Sequence, residues 1–509
     1  MPSAAIVPAM TTAGGYLLVF AVILPVAGVL LSVLLGGRYA ERIAIVVMPF
    51  GLAIAVAITA GVWHSGNVLQ YVVGAWEPPL GVAFRADGLS VAMVMTAALL
   101  VPAIGWFARG QFATPPATQS RAATTFWTLL LAVWAALNAV FLGADLFNLY
   151  VAIEFLTFAA VPLVSLDGRP DTLTAALRYL LFSLLGSVFY LLGTVLLYGA
   201  YGTLDILLLA SRVRMDPTAW IALSLMTGGL LAKSALYPLH LWLPPAHAGA
   251  PAPASAVLSG LVVKAPFFLV LRLWFDVMPG VSDRTAAQLL GVLAATAVLF
   301  GSVLALRQAR LKLLVAYSTV AQIGYLFLIV PLSANSQIGH PWGNSAWTGG
   351  MLQAVSHAFA KAAMFMAAGL VAEALGHDRI AGLAGIGRAL PITMFAFALG
   401  GMSLMGLPPS GGFVAKAMLL TAAVGEGQWW WAVVVLVGGL LAGGYVFLVL
   451  ARSLADPEEP LTLRAPVPRS RQLLALAVAL IAVLLGFAPL RPSQLLLIGR
   501  PEAAALGVQ

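Results

Sequence analysis

Apolar residues in this chain come in long unbroken runs, with neither the alternation of a half-buried strand nor the three-to-four spacing of a surface helix. An α-helix needs about 20 mostly apolar residues to cross the hydrocarbon of a bilayer. Fourteen such runs follow one another, beginning near residues 15, 43, 86, 124, 146, 178, 219, 252, 286, 313, 347, 389, 429 and 471. The first does not read as a cleaved signal. Its flank Met1–Tyr16 has no positive charge, and no small-residue cleavage pattern follows. The pattern predicts an all-α polytopic membrane protein of about fourteen transmembrane helices.

Composition excludes the soluble alternatives. The 509 residues are 61% hydrophobic and 9% charged, against about 25% charged in a soluble chain. The absence of cysteine removes disulfides, iron–sulfur clusters and thiolate metal sites. Neither a G-x-x-x-x-G-K-[ST] loop nor a G-x-G-x-x-G turn is present, so nucleotide binding has no motif. The net charge of +8 is scattered through the loops and offers nucleic acid no patch. A haem needs paired axial histidines in facing helices, and only His357 is clearly mid-span. No cofactor, metal or catalytic site of the chain's own is expected.

Lysine and arginine in the loops set the expected orientation. With the amino terminus outside, the cytoplasmic loops hold fifteen: Arg38, Arg42, Arg109, Arg121, Arg169, Arg178, Arg307, Arg310, Lys312, Arg379, Arg388, Arg452, Arg464, Arg469 and Arg471. The opposite side holds seven: Arg85, Arg212, Arg214, Arg272, Arg284, Arg491 and Arg500. Both termini are therefore expected on the non-cytoplasmic side of a prokaryotic plasma membrane.

The four remaining basic residues, Lys233, Lys264, Lys361 and Lys416, all fall inside apolar runs, while every arginine is placed at or near a loop. Lysine is the cation that can change its protonation state inside a protein; arginine keeps its charge. This sorting points to proton handling. A charge within a span costs about 2.5–3.5 kcal/mol on insertion scales, so it usually faces the bundle interior and has a function. Glu154 in the fifth run is the carboxylate available to a nearby lysine. Gln353, His357 and Lys361 recur every four residues in the eleventh run and share a helix face. His240 and His247, at the end of the seventh, are equally readable as capping or interfacial groups.

Two runs are interrupted. Pro238 follows Lys233 by five residues, and Pro408, Pro409, Gly411 and Gly412 precede Lys416. Proline removes a helical hydrogen bond, and a broken helix survives in a bilayer only where protein or water meets the freed groups. Interrupted runs in corresponding places of two halves are the sequence pointer to an inverted-repeat transport site. Expected divisions are residues 1–110, two halves at 120–275 and 285–452, and a last span with its tail at 470–509. No second-half counterpart of Glu154 is visible.

The stretch Lys233-Ser-Ala-Leu-Tyr-Pro-Leu-His-Leu-Trp-Leu-Pro-Pro-Ala-His247, running into Ala250-Pro-Ala-Pro-Ala-Ser-Ala-Val-Leu-Ser-Gly-Leu-Val-Val-Lys264, resembles the signature of the proton-translocating antiporter-like family. That family includes membrane subunits of respiratory complex I, Mrp sodium/proton antiporters and energy-converting hydrogenases. Lys312-Leu-Leu-Val-Ala-Tyr-Ser-Thr-Val-Ala-Gln322, His357-Ala-Phe-Ala-Lys361 and Gly406-Leu-Pro-Pro-Ser-Gly-Gly-Phe-Val-Ala-Lys416 extend the match over roughly residues 75–450. Asp145-Leu-Phe-Asn-Leu-Tyr150 and the Pro-Pro-x-Gly-Gly-Phe stretch are most similar to the Mrp D-type subunit and its hydrogenase relatives. Lysine at 416 and the short tail resemble other branches less.

The resemblance implies a modulating carboxylate at Glu154, a switching lysine at Lys233, relays at Lys264 and His357, and a terminal exchange site at Lys416; Lys361, beside His357 on the polar stripe, joins the expected translocation residues. Gln353 stands where some relatives have a second histidine, and Arg178 where relatives often have lysine. The implied activity is proton translocation, with cation/proton antiport as one form, by one membrane subunit of a hetero-oligomeric complex. Two other classes remain open: a stand-alone transporter of a small solute, and the membrane subunit of a redox or inorganic-carbon uptake complex.

Overall fold

The computed structural model describes residues 10–114, 120–279, 281, 283–333, 341–457, 460–487 and 492–500. Arg491 and the terminus at Gln509 lie outside them. The fourteen runs appear as helices: α1 (Tyr16–Leu35), α2 (Gly37–Ser65), α3 (Gly88–Phe112), α4 (Arg121–Leu142), α5 (Leu146–Val164) and α6 (Pro170–Tyr201). A two-stranded antiparallel hairpin, β1 (Leu69–Val72) with β2 (Ala83–Ala86), joins α2 to α3. Then come α7, split into α7a (Pro217–Ser234) and α7b (Leu243–Gly249), α8 (Ala252–Val277), α9 (Arg284–Leu306), α10 (Leu311–Ser333) and α11 (Pro341–Leu375). The series closes with α12, split into α12a (Pro391–Met405) and α12b (Gly411–Gly425), α13 (Trp429–Leu454) and α14 (Arg469–Leu484). Among the described residues, eleven helices are individually long and apolar enough to cross a membrane; α7, α12 and the shorter α14 complete the fourteen.

Aspartate starts several of these helices for a local reason. The first turn of a helix leaves N–H groups unpaired, and a side-chain oxygen at the N-cap accepts from them. Asp87, Asp145, Asp216 and Asp283 do so at α3, α5, α7a and α9, every second helix and hence one end of the bundle. Packing then sorts centre from rim. The apolar window of α8 is wholly buried, whereas that of α1 is 28% buried and faces outward. Small residues allow the closest approach, as between membrane helices generally. A Cβ on Gly229 of α7a would lie 2.2 Å from the Gly186 carbonyl oxygen of α6, so only glycine permits that crossing.

Matching hydrogen bonds carry the internal repeat. Leu146 N–H donates to the Leu204 carbonyl and Ile206 N–H to Ala144, both at 2.9 Å. Leu311 N–H donates to Asp378 (2.7 Å) and Ile380 N–H to Ala309 (2.9 Å), the same reciprocal bridge in the second half. The two breaks also correspond: Leu236 N–H bonds Leu231 where α7a ends, and Leu407 N–H bonds Met402 where α12a ends, each at 3.1 Å. Counting from these bonds, Glu154 corresponds to Thr319, Thr157 to Gln322 and Lys233 to Leu404.

Arg272 is a difference from the sequence expectation. It lies within α8, not in a loop, and is buried. Its Nη1 and Nη2 grip Asp87 at 2.5 and 2.8 Å, with Asp276 at 2.6 Å and Ser90 Oγ at 2.9 Å. Asp87 thus caps α3 and neutralises a buried cation at once. Removing one partner of a buried pair costs about 3–5 kcal/mol, because the other charge is stranded. Asp87→Ala should therefore lower the thermal unfolding midpoint in detergent sharply, and Asp276→Ala less, since Asp87 retains two contacts. Equal midpoints for Asp87→Ala and the parent would show that the cluster is not a stability element.

Candidate functional site

The four mid-span lysines are all buried, each meeting its ammonium requirement differently. Lys233, in the last turn of α7a, donates to Glu154 Oε1 of α5 at 3.1 Å and to Thr157 Oγ1 at 2.9 Å. Ser187 of α6 donates to the same Glu154 oxygen. Glu154 and Thr157 share one face of α5, three residues apart, which is why both reach the lysine.

Lys264 is fully buried in α8, just past a π-helical turn at Leu258–Val262. Its Nζ donates to the Ser259 carbonyl at 2.7 Å, and Ser259 Oγ lies 2.9 Å from Thr319 Oγ1 on α10. This hydroxyl pair joins the first half to the second. π-helical turns are frequent at functional sites. On α11, Lys361 donates to the Val315 carbonyl at 3.0 Å and to Ser318 Oγ. Thr319 Oγ1 donates to that same Val315 carbonyl at 3.0 Å, closing a polar chain from Lys264 to Lys361.

Lys416, in α12b, donates to the Leu404 and Met405 carbonyls at 2.6 and 3.3 Å, and its Nζ sits 4.2 Å from the Tyr325 ring centroid. These carbonyls belong to the last turn of α12a, whose final oxygens have no helical partner and form the negative end of its dipole. Gln322 also donates to Leu404, at 3.2 Å, and accepts from Gln353 at 2.8 Å. Gln353, His357 and Lys361 do share a buried face, turned toward α10. Both ring nitrogens of His357 and of His247 lack a protein hydrogen-bond partner among the described residues. His247 is not interfacial: it is fully buried in α7b and stacks on Phe365 at 4.6 Å.

Pro238 lies in the break between α7a and α7b, and Pro408 and Pro409 in that between α12a and α12b. The two lysines flank their breaks from opposite sides. Lys233 precedes its break; Lys416 follows, with its ammonium on the carbonyl at the position corresponding to Lys233. Among the described residues, no direct hydrogen bond links Lys233 to Lys264. Sequence reasoning missed the neutral members Thr157, Ser187, Ser259, Ser318, Thr319, Gln322 and Tyr325. Ser259, Ser318, Thr319 and Gln322 lie within the stretches that carry the family resemblance, and Thr157 has helical spacing from Glu154. No group of three or more potential metal ligands occurs among the described residues.

A helical bundle with four buried lysines and two broken helices defines a polytopic ion-translocation subunit of the antiporter-like class. The chain belongs to the NADH:quinone oxidoreductase/Mrp antiporter transmembrane family, whose model matches residues 143–442. It is 32% identical to the N-type subunit of the NADH-quinone oxidoreductase of Desulforudis audaxviator, over 86% of this chain and 88% of that one. It is 28% identical to the D-type subunit of the Na(+)/H(+) antiporter of Alkalihalophilus pseudofirmus, over 73% of each. In structure it matches a chain of the Mrp complex from Dietzia with a TM-score of 0.86, 25% identity and 98% coverage of both.

The breaks differ in backbone strain. Gly406 closes α12a at φ +81, whereas Ala235 closes α7a at φ +57, a conformation costing an L-residue roughly 1–2 kcal/mol. Ala235→Gly should raise the unfolding midpoint by relieving about 1 kcal/mol. Gly406→Ala should lower it by at least that much, since its Cβ would lie 2.7 Å from Lys416 Cδ. Thermal scans of the two variants check the pair; shifts of the same sign would refute the account.

Proposed function

We propose that this chain is a proton-translocating membrane subunit of a multi-subunit complex, with protons moving along the buried axis from Glu154 and Lys233, through Lys264, His357 and Lys361, to Lys416. The observation that carries the reading is the Glu154–Lys233 pair, a carboxylate and an ammonium at 3.1 Å beside a broken helix. Separating and re-forming such a pair changes how strongly the site holds a proton, at about 1.4 kcal/mol per pKa unit. A partner that moves α7a relative to α5 thereby drives protonation at Lys233. Ser187 and Thr157 stay hydrogen-bonded to the two members and soften the separation. His357 and Gln353 extend the path with groups that exchange hydrogen bonds with water, and Lys416 hands protons over at the far end.

The relatives support two kinds of driving partner. One bears the name of a quinone oxidoreductase subunit and one that of a sodium/proton antiporter subunit. Either way the chain acts with other membrane subunits, in a plasma membrane. Basic-residue asymmetry supports both termini on the non-cytoplasmic side.

Lys233→Arg separates a switch from a scaffold. Arginine keeps the charge and the pair with Glu154 but does not release its proton. In vesicles containing the assembled complex, Lys233→Arg should lower proton translocation at least about tenfold, as should Glu154→Ala, with normal insertion. Near-parental translocation by Lys233→Arg would sink the mechanism. Orientation is tested independently with single cysteines at Ser211 and Arg307, since the parent has none. An impermeant thiol reagent applied to intact cells should label the Ser211 position and spare Arg307; the reverse pattern would overturn the orientation.

A further inference from the structure

Arg471, in the first turn of α14, reads from the sequence as a loop residue, yet it is buried. It meets Glu373 of α11 through Nη1 alone, at 2.9 and 2.8 Å to the two carboxylate oxygens. Its other edge, Nε with Nη2, is the fork on which a guanidinium takes a carboxylate or phosphate bidentate. Neither atom has an acceptor among the described residues, although the side chain is 8% exposed. An unpaired buried donor is costly, so this edge awaits a partner.

The surroundings have the shape of a site. A cavity of about 320 Å³ adjoins the guanidinium, lined by Trp106, Arg109, Gly110, Ser470, Arg471 and Leu474 among others. A Cβ on Gly110 would stand 2.5 Å from Arg471 Nε, so glycine lets α3 pack directly against the guanidinium. Phe107 covers a guanidinium face at 4.8 Å. Arg109 gives its Nε to Glu41 at 2.8 Å, stacks on Trp106 at 5.0 Å and forms the half-exposed, movable wall. The sixteen-residue α14 starts here with no side-chain cap, leaving its first N–H groups for an anion. Trp106 is 55% exposed at a helix end, where amphipathic rings mark the headgroup level.

We propose that this cavity, remote from the lysine axis, binds the phosphodiester of an anionic phospholipid. Arg471 takes the phosphate through Nε and Nη2, Arg109 holds it from the rim, and Trp106 and Leu474 flank the glycerol and chains. The contact ties α3, α11 and α14 together through a lipid. The same oxyanion chemistry is offered by free phosphate, and the test separates the two.

The purified protein in detergent is titrated with phosphatidylglycerol or phosphatidylcholine and read by native mass spectrometry. Thermal midpoints are recorded with each lipid and with inorganic phosphate. The parent should retain phosphatidylglycerol over phosphatidylcholine by about fivefold or more and gain stability from it but not from inorganic phosphate. Ser470→Asp should fold as well as the parent, because a carboxylate suits a helix N-terminus, and should lose the preference by occupying the free guanidinium edge itself. Arg471→Gln should lose it too. No preference in the parent, or an undiminished one in a folded Ser470→Asp, overturns the site; equal stabilisation by inorganic phosphate overturns the lipid as its ligand.

Discussion

Holding an ammonium ion where there is little water is the constraint on which this structure turns. Lys233, Lys264, Lys361 and Lys416 are each no more than 6% exposed, and each stripped charge needs oxygen around it. Within a regular helix each carbonyl already accepts one bond from the chain, and a cation there must share it, as Lys361 shares the Val315 carbonyl of α10. The fold creates free acceptors by interrupting helices. The end of α12a supplies Lys416, the π-helical turn of α8 precedes Lys264, and Glu154 is the sole carboxylate paired with any of the four among the described residues. For Lys264 and Lys416 the helix irregularity and the buried cation are thus one feature seen from two sides.

The duplicated halves answer the same constraint unequally. The first half has Glu154, Thr157 and Lys233; the corresponding second-half positions are Thr319, Gln322 and Leu404. The second half is therefore neutral at the place where the first is ionic, and its cation reaches back across the break from α12b. An ion pair can be opened at a cost a partner can supply, whereas a lysine on fixed helix-end carbonyls is held by backbone. On the proposed mechanism the movable element lies in the first half and the fixed acceptor in the second.

Much of this is legible in the chain itself. Apolar runs longer than a bilayer is thick mark the fourteen helices, and lysines within them mark the axis, since both signals are local and energetically strong. The prolines locate both breaks for the same reason. Arg272 and Arg471 read as loop residues because a residue near the end of an apolar run looks the same whether it points to water or to a carboxylate on a distant helix. Asp87 lies 185 positions from Arg272, and such a pairing is a product of packing. The hydroxyls that join the halves are invisible in sequence because serine and threonine are common in membrane helices. The opposite placement of Lys233 and Lys416 about their breaks is legible in the chain; that Lys416 reaches the carbonyl at the position corresponding to Lys233 emerges only when the two breaks are superposed bond by bond.

The π-helical turn at Leu258–Val262 also constrains how this chain can change over evolutionary time. Such a turn is a helix holding one residue more than its neighbours' register requires, and each residue of an α-helix advances the side chains by about 100°. Loss of a single residue there would make that segment regular helix, with the second π-helical turn at Arg272–Val277 still in place, and would swing everything beyond it, Lys264 and the Arg272 cluster included, by nearly a third of a revolution. The segment is consequently intolerant of length change in a way that its plain apolar composition conceals. Substitutions can accumulate along α8; insertions and deletions cannot.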